Sequence, residues 1–294
     1  NIKLIPNWHT NYEYYSKLYF KNMINIQNIK KNLYNNLKNK FFSGIIVTGE
    51  ITKNNFKEYC SNVFNANEIC LDNFNIFQIN HYNLSNKINF IYVGRVSIEK
   101  NLDLLIDLLY ELNSKNSQFN NFHMHIIGDG PYKNELFDKI NDELINKITF
   151  YGSIDYSEIK YIYKNLDNRI FIQPSISETF GKTSMEACYS GIPIFVKSCE
   201  IHEILYKESN SFIFDNVNDF KNQLMLFFKL SQNQKVQIIN NAYNNAKKYN
   251  QNNIFYELKE FLIKLNQNSS HFYKQFFISN VFQGIKCGID YFES

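Results

Sequence analysis

An α/β fold built on a parallel sheet is what this sequence predicts from residue 88 onward. Three observations predict it. Short apolar runs alternate with segments whose apolar residues recur at helical spacing. The strand-like runs are predominantly apolar, as buried strands are. Most of them stop at a Gly or a Pro, and the chain holds only 10 Gly and 4 Pro, so each one carries more information than usual.

The elements follow in order. Ile88 to Val93 is a buried-strand run ending at Gly94. Residues 101 to 116 place Leu102, Leu104, Leu105, Leu108, Leu109 and Leu112 at helical spacing. Phe122 to Ile127 is a second strand, stopped by Gly128-Asp129-Gly130-Pro131, and one helix is predicted from Tyr132 to about Asn141. Lys147 to Tyr151 is a third strand, ending at Gly152, and Ser157 to Leu166 a helix. Arg169 to Gln173 is a fourth strand, ended by Pro174, and a helix runs from about Thr183 to Tyr189. Ile192 to Val196 and Ser211 to Phe214 complete six strands, and three mostly helical stretches close the chain. Strands alternating with helices imply right-handed crossovers and a parallel sheet. Ligands bind at the strand ends of such sheets.

Before Ile88 only Ser43 to Val47 reads as a strand, with helical segments ahead of it. Roughly 85 residues are too few for a second complete domain of this kind. Leu71 to Lys87 lacks periodicity and is expected to be a linker. The expected organisation is a partial domain plus linker over 1–85, a ligand-binding domain over 86–250, and helices over 251–294 that cross back to the first domain.

Hydrophobic residues make up 44% and charged residues 20%, which reads as a globular, soluble chain. The bias toward Asn, Lys, Ile, Tyr and Phe fits an AT-rich coding sequence. A formal charge of +3 is too small to imply nucleic acid. The five cysteines form no C-x-x-C pair, which suits a reduced compartment. No stretch approaches the roughly 18 to 20 apolar residues of a membrane span. No signal peptide opens the chain. The expected location is cytoplasmic or organelle-stromal, at most peripheral to a membrane. The chain opens on Asn1 rather than Met, so an upstream segment is expected.

Five features carry the chemistry. The loop Gly94-Arg95-Val96-Ser97-Ile98-Glu99-Lys100 follows a strand and projects two cations, Arg95 and Lys100, of the kind a diphosphate needs. Taken alone, they read better as two solvated surface charges. Gly128-Asp129-Gly130-Pro131 is a turn with Pro placed to start a helix; it lacks the third Gly of a dinucleotide fingerprint. Tyr151-Gly152-Ser153 is a strand end where backbone can approach a flat base, or a plain turn. The decisive stretch is Pro174 to Ala187, in which Glu178 lies in a loop and Glu186 in the helix that follows. Gly181 frees the backbone before that helix, whose N-terminal N–H groups and positive dipole end suit a phosphate. Glu186 can accept hydrogen bonds from vicinal hydroxyls such as those of a ribose, and Glu178 from those of a sugar.

Glu178 to Glu186 resembles the E-x7-E signature of the retaining glycosyltransferases of family 4, which have the two-domain GT-B fold. Gly94-Arg95 with Glu99-Lys100-Asn101, Gly128 to Pro131, Tyr151-Gly152 and Gly191-Ile192-Pro193 fall in the family's order and spacing. The resemblance covers about residues 41 to 265. It implies a complete Rossmann-like donor-binding domain with helices on both faces, and the tail of a Rossmann-like acceptor domain. It implies that Gly94, Arg95 and Lys100 bind the diphosphate, Glu186 the ribose and Glu178 the donor sugar. Phe180, Gly181, Lys182 and Thr183 would supply backbone contacts, and Tyr151 and Gly152 would meet the base.

The fifth feature, Trp8-His9-Thr10-Asn11 with Tyr12, Tyr14, Tyr15 and Tyr19, is similar to the His-Thr segment of lipid-glycosylating members such as sulfolipid synthases. By that likeness His9 contacts the donor sugar. His123 and His125 share a strand face but have no evident third ligand, so they read as strand packing rather than a metal pair. Cys188 in the signature helix reads as packing.

The chain departs from the family in lacking the Gly-rich front of the acceptor domain. It carries Leu71-Asp72-Asn73-Phe74 where an Asn-Gly turn is usual. It also lacks the common Gly-Gly after Val196.

The activity implied is retaining transfer of a hexose from a nucleotide diphosphate sugar to an acceptor hydroxyl, on a lipid or a glycan. The expected partners are that donor, that acceptor and a membrane surface, with no nucleic acid. No metal and no cofactor are expected. The final stretch from His271 to Phe292, rich in Phe and Ile with Lys274 and Lys286, reads as an interfacial helix or as packing across the acceptor domain. The alternative function is a non-catalytic nucleotide-sugar-binding partner or a truncated paralogue. A nicotinamide-dependent oxidoreductase is disfavoured by the missing fingerprint.

Overall fold

The structure, a computed structural model, describes residues 7–8, 26–38, 44–67, 76–115 and 117–266. They fall into two compact units, one drawn from 1–67 and 252–294 and the other from 68–251.

In the first unit β1 (Asn7–Trp8), β2 (Ile45–Val47) and β3 (Val63–Asn65) form a parallel sheet in that order. Helices α1 (Ile26–Lys38) and α2 (Glu50–Lys57) belong to it. Its core is small: Leu37, Ile45, Val47 and Phe56 are buried together. The strand expected at Ser43 to Val47 is present as β2. β1 and β3 were not expected, because two or three residues are too few to show a strand period.

In the second unit six strands form one parallel sheet. They are β4 (Ile88–Val93), β5 (Phe122–Ile127), β6 (Ile148–Gly152), β7 (Arg169–Gln173), β8 (Ile194–Lys197) and β9 (Phe212–Phe214). Their spatial order is β6-β5-β4-β7-β8-β9, with every neighbouring pair parallel. This is the doubly wound order. The chain reverses direction across the sheet between β4 and β7, which opens a crevice at their C-terminal ends. The crossovers run through α3 (Leu102–Leu112), α4 (Lys133–Phe137), α5 (Asp142–Ile145), α6 (Tyr156–Asn165), α7 (Lys182–Tyr189) and α8 (Glu200–Leu205). Two longer helices follow, α9 (Val217–Lys229) and α10 (Gln232–Lys247); α11 (Gln251–Asn266) falls, from residue 252 on, in the first unit. The main core joins Phe90, Tyr92 and Ile126 of the sheet to Leu105 and Leu109 of α3 and to Phe220 and Phe227 of α9.

All six strands expected from residue 88 onward are present. The helix expected from Tyr132 to about Asn141 is the shorter α4, and a second helix, α5, follows directly after Asn141. Asn141 caps the second by accepting the Leu144 N–H at 3.0 Å. The Tyr110 hydroxyl holds the break, accepting the Asn141 N–H at 2.8 Å and donating to the Lys139 carbonyl at 2.9 Å. The six-residue helix α8 was not expected.

Residues 76–87, expected as linker, pack on the second unit. Tyr82 is buried in its core. Arg169, wholly buried at the start of β7, donates to the carbonyl oxygens of Tyr163, Gln78 and Ser190. Two of these carbonyls lie at the C-terminal ends of α6 and α7, where a cation is favoured.

Candidate functional site

The loop after β4 is shaped by backbone packed on backbone. A Cβ on Gly128 would lie 2.0 Å from the Gly94 carbonyl oxygen, and one on Gly130 would lie 2.2 Å from that of Val96. Gly128 also has φ 129°, which disfavours any other residue. The Val96 N–H donates to the Asp129 carbonyl at 3.0 Å, and the Gly94 N–H to that of Ile127 at 3.0 Å. The Gly128-Asp129-Gly130 turn therefore fixes the course of the loop that carries Arg95 and Lys100.

Within that loop Glu99 is fully buried. It accepts from the Arg95 guanidinium at 2.9 Å and from the Ser97 hydroxyl at 2.8 Å. The Tyr92 hydroxyl donates to the Arg95 carbonyl at 2.9 Å. Arg95 keeps 55% of its side chain exposed, so its cation stays at the surface of the strand-end crevice.

The loops after β4 and β7 meet at the point where the strand order reverses. Asn101 adopts the left-handed region (φ 54°) and donates its amide to the Pro174 carbonyl at 3.2 Å. The Ile176 N–H donates to the Glu99 carbonyl at 3.1 Å. Between them the Lys100 ammonium sits 2.6 Å from Glu178 Oε1. The same oxygen accepts from Gln173 Nε2 at 2.6 Å, and Gln173 also donates to the Ser175 hydroxyl at 2.8 Å. The side chains of Lys100 and Glu178 are 17% and 9% exposed. A charge pair this dry is held in one geometry and screened little by salt.

Beyond Glu178, Gly181 turns the chain in the left-handed region (φ 79°) and opens α7, and no side chain caps that helix. Phe180 is buried, with its ring edge-to-face against Tyr249 at 4.9 Å. Lys182 and Thr183 form the first turn. Ser184 is locked by its hydroxyl to the Gly181 carbonyl at 2.8 Å, and Tyr206 donates to that hydroxyl at 2.8 Å. Glu186, one turn in, is only 5% exposed. Burial pushes its carboxyl up to about 7, against the pull of Lys182. A carboxylate kept in so unfavourable a place is a candidate for binding hydroxyl groups.

At the far end of β6, Tyr151 donates its hydroxyl to His125 Nδ1 at 2.8 Å, and the Gly152 carbonyl accepts the Gly128 N–H at 2.7 Å. His125 also bonds Asn89 Oδ1 at 3.2 Å, and His123 bonds Thr149 at 2.8 Å. The two histidines are rungs of a strand-to-strand ladder. Among the described residues no cluster of three His, Cys, Asp or Glu could hold a metal.

The structure thus brings Lys100 and Glu178 into contact and ties Arg95 to their loop through Glu99. It sets Gly181, Lys182, Thr183 and Glu186 at the start of the adjoining helix, and leaves Tyr151 and Gly152 two strands from β4. His9, Tyr12, Tyr14, Tyr15, Tyr19, Leu71 to Phe74 and His271 to Phe292 lie outside the described residues. Sequence reasoning missed two residues of the site. Gln173 was signalled only by a polar residue at the C-terminal end of its strand, and Glu99 by an acid between two cations.

The family profile described as "Glycosyl transferases group 1" matches residues 75–245. Sulfoquinovosyl transferase SQD2 of Arabidopsis thaliana is 36% identical over 106 residues, covering 35% of this chain and 18% of that protein. Alpha-monoglucosyldiacylglycerol synthase of Streptococcus pneumoniae is 27% identical over 207 residues, covering 66% of this chain and 46% of that protein. The chain spans less than half the length of these relatives.

Among solved structures, a sucrose-phosphate synthase from Thermosynechococcus elongatus superposes with a TM-score of 0.70 at 14% identity, over 92% of this chain and 69% of that one. Anabaena Alr3699/HepE, solved with UDP and glucose, superposes with a TM-score of 0.67 at 18% identity, over 88% of this chain and 71% of that one. These likenesses establish the fold as that of the GT-B glycosyltransferases.

Proposed function

Because this chain belongs to the group 1 glycosyl transferases, we propose that it moves a hexose from a nucleoside diphosphate sugar to an acceptor hydroxyl, with retention at the anomeric carbon. One observation carries the reading. At the switch point of a doubly wound sheet, two loops 78 residues apart place Lys100 against Glu178, directly before an uncapped helix N-terminus. Cleaving the anomeric C–O bond builds negative charge on the leaving diphosphate and positive charge on the sugar. Lys100, Arg95 and the first turn of α7 face the former. Glu178, held by Gln173 and Lys100, is fixed to receive sugar hydroxyls. Glu186 takes the ribose hydroxyls.

The acceptor we propose is a lipid hydroxyl at a membrane surface, with His9 at the sugar. One of the relatives supports this, being named an alpha-monoglucosyldiacylglycerol synthase. No helix among the described residues is long and apolar enough to cross a membrane. No metal ion or cofactor enters the proposed chemistry.

The test is incubation with UDP-glucose, UDP-N-acetylglucosamine and GDP-mannose plus diacylglycerol vesicles, read by proton NMR of the anomeric signal. A product with the donor's own anomeric configuration is expected. An inverted product would refute retention, and the absence of both transfer and donor hydrolysis would refute the activity.

A further inference from the structure

His202 is wholly buried on α8, at the C-terminal end of β8. Its Nδ1 lies 2.7 Å from the Lys197 carbonyl oxygen. A carbonyl only accepts, so Nδ1 carries the proton. Burial holds the ring's pKa below the ordinary histidine value, and the charges of Glu178 and Lys100 both act on it. The ring is therefore neutral near pH 7, and Nε2 presents a bare lone pair. That atom has no hydrogen-bond partner among the described residues. An acceptor buried without a donor is costly.

What Nε2 faces is informative. A Cβ built on Gly181 would lie 3.0 Å from Ser184 Oγ and 3.8 Å from His202 Nε2. Only the missing side chain of Gly181 separates Nε2 from the residue that opens the uncapped helix α7. The spot combines N–H donors at the helix end with one acceptor. A phosphate oxygen satisfies the donors but repels the lone pair. A sugar hydroxyl, both donor and acceptor, satisfies both.

We infer that His202 Nε2 is a specificity-determining acceptor for one hydroxyl of the transferred sugar, at the turn where Gly181 opens α7. The inference rests on the donor-binding reading above. It assigns the sugar, not the nucleotide, to this residue.

The amide of Asn overlays Nδ1 of histidine and the amide of Gln overlays Nε2, so two variants separate the two ring nitrogens. The whole chain is titrated by calorimetry with UDP, UDP-glucose, UDP-N-acetylglucosamine, GDP and GDP-mannose. For the best nucleotide, the ratio of the diphosphate's Kd to the conjugate's Kd is compared across variants. His202→Asn should lower that ratio about five- to tenfold, the worth of one neutral hydrogen bond, with the diphosphate's own Kd unchanged. His202→Gln should keep the ratio within about twofold of wild type.

As a check that needs no folded variant, donor conjugates lacking one sugar hydroxyl at a time are titrated on the wild type. One of them should lose a similar factor. An unchanged ratio in His202→Asn, an equal loss for diphosphate and conjugate, or a loss in His202→Gln as large as in His202→Asn would overturn the inference. So would deoxy conjugates that all bind alike. A wild type that binds none of the five ligands refutes the donor reading itself, and His202's role with it.

Discussion

Replacing Glu186 with Gln is expected to make the protein more stable above pH 7 while weakening its hold on the nucleotide. Burial raises the carboxyl of Glu186 from 4.5 to about 7, and Lys182 only partly offsets it. Between those values the folded chain binds more protons at this site than the unfolded chain. Stability therefore falls as pH rises through that window, and the loss is complete above about pH 7. A displacement of that size corresponds to about 3 kcal/mol. Gln has the same shape and no charge, so it removes the pH-dependent penalty. In a unit of this size 1 kcal/mol moves Tm by about 2–4 °C, so the variant should melt about 6–12 °C higher at pH 8.5. The two curves should converge near pH 4.5, where both side chains are neutral. Calorimetric scans at half-unit steps from pH 4.5 to 8.5 give the difference directly. A difference that stays constant with pH would refute the reasoning, because it would mean that Glu186 is as easily ionised in the fold as out of it. In the same variant the Kd for the nucleoside diphosphate should rise, since an amide oxygen is a weaker acceptor for ribose hydroxyls than a carboxylate.

Lys100→Ala and Arg95→Ala should each weaken a nucleoside diphosphate more than the bare nucleoside and cost on the order of 10²–10³ in transfer rate; equal losses for both ligands, read by calorimetry, would remove the loop from the phosphate site. Glu178→Gln should lower transfer while sparing the diphosphate's Kd, and Gln173→Leu should act in the same direction by releasing Glu178; a loss of diphosphate affinity as large as the loss of transfer would contradict this. Gly128→Ala should destabilise the second unit by about 3 kcal/mol in urea melts, because the new methyl would meet the backbone of Gly94, which has no rotamer to yield. Deleting residues 268–294 should abolish co-flotation with anionic vesicles if that stretch lies in a bilayer interface, and flotation unaffected by the deletion would leave the membrane contact elsewhere.

The six strands of the second unit were legible because each is short and mostly apolar, and most are punctuated by a Gly or Pro. INFIYV before Gly94 and RIFIQ before Pro174 left little else to be. Of the first unit's sheet only β2 was legible, since two- and three-residue strands carry no period. The break at Asn141 was invisible because its cause is the hydroxyl of Tyr110, 31 residues away in sequence. At the site, the sequence offered Arg95, Lys100, Glu178 and Glu186 as separate charges at strand ends. Topology joins them: β4 and β7 are neighbours only because the winding reverses there. Burial was harder still to foresee. The run KTSMEACY shows Glu186 beside Met185, Ala187 and Cys188, but not that this whole face of α7 is covered.

Where the chain tolerates cost distinguishes a structural cluster from a functional one. Five side-chain atoms among the described residues are buried without a partner: Asn80 Oδ1, Tyr82 Oη, Arg169 Nε, Gln173 Oε1 and His202 Nε2. The first three gather about Arg169 at the N-terminal end of β7, where the other guanidinium nitrogens already meet backbone carbonyls of Tyr163, Gln78 and Ser190. That group closes the linker onto the sheet, and its leftover atoms are the residue of a clamp. Gln173 ends β7 beside Glu178, and His202 lies on α8 beyond the C-terminal end of β8, beside Gly181. Each has one polar atom fastened to the protein and the other unspent. Gln173 Nε2 holds Glu178 while its Oε1 has no donor, and His202 Nδ1 holds Lys197 while Nε2 has none. Side chains fixed at one end with an acceptor left over at the other are preorganised for a donor that the protein does not supply. Hydroxyl-rich sugars supply such donors, and the C-terminal edge of a doubly wound sheet is where they would arrive.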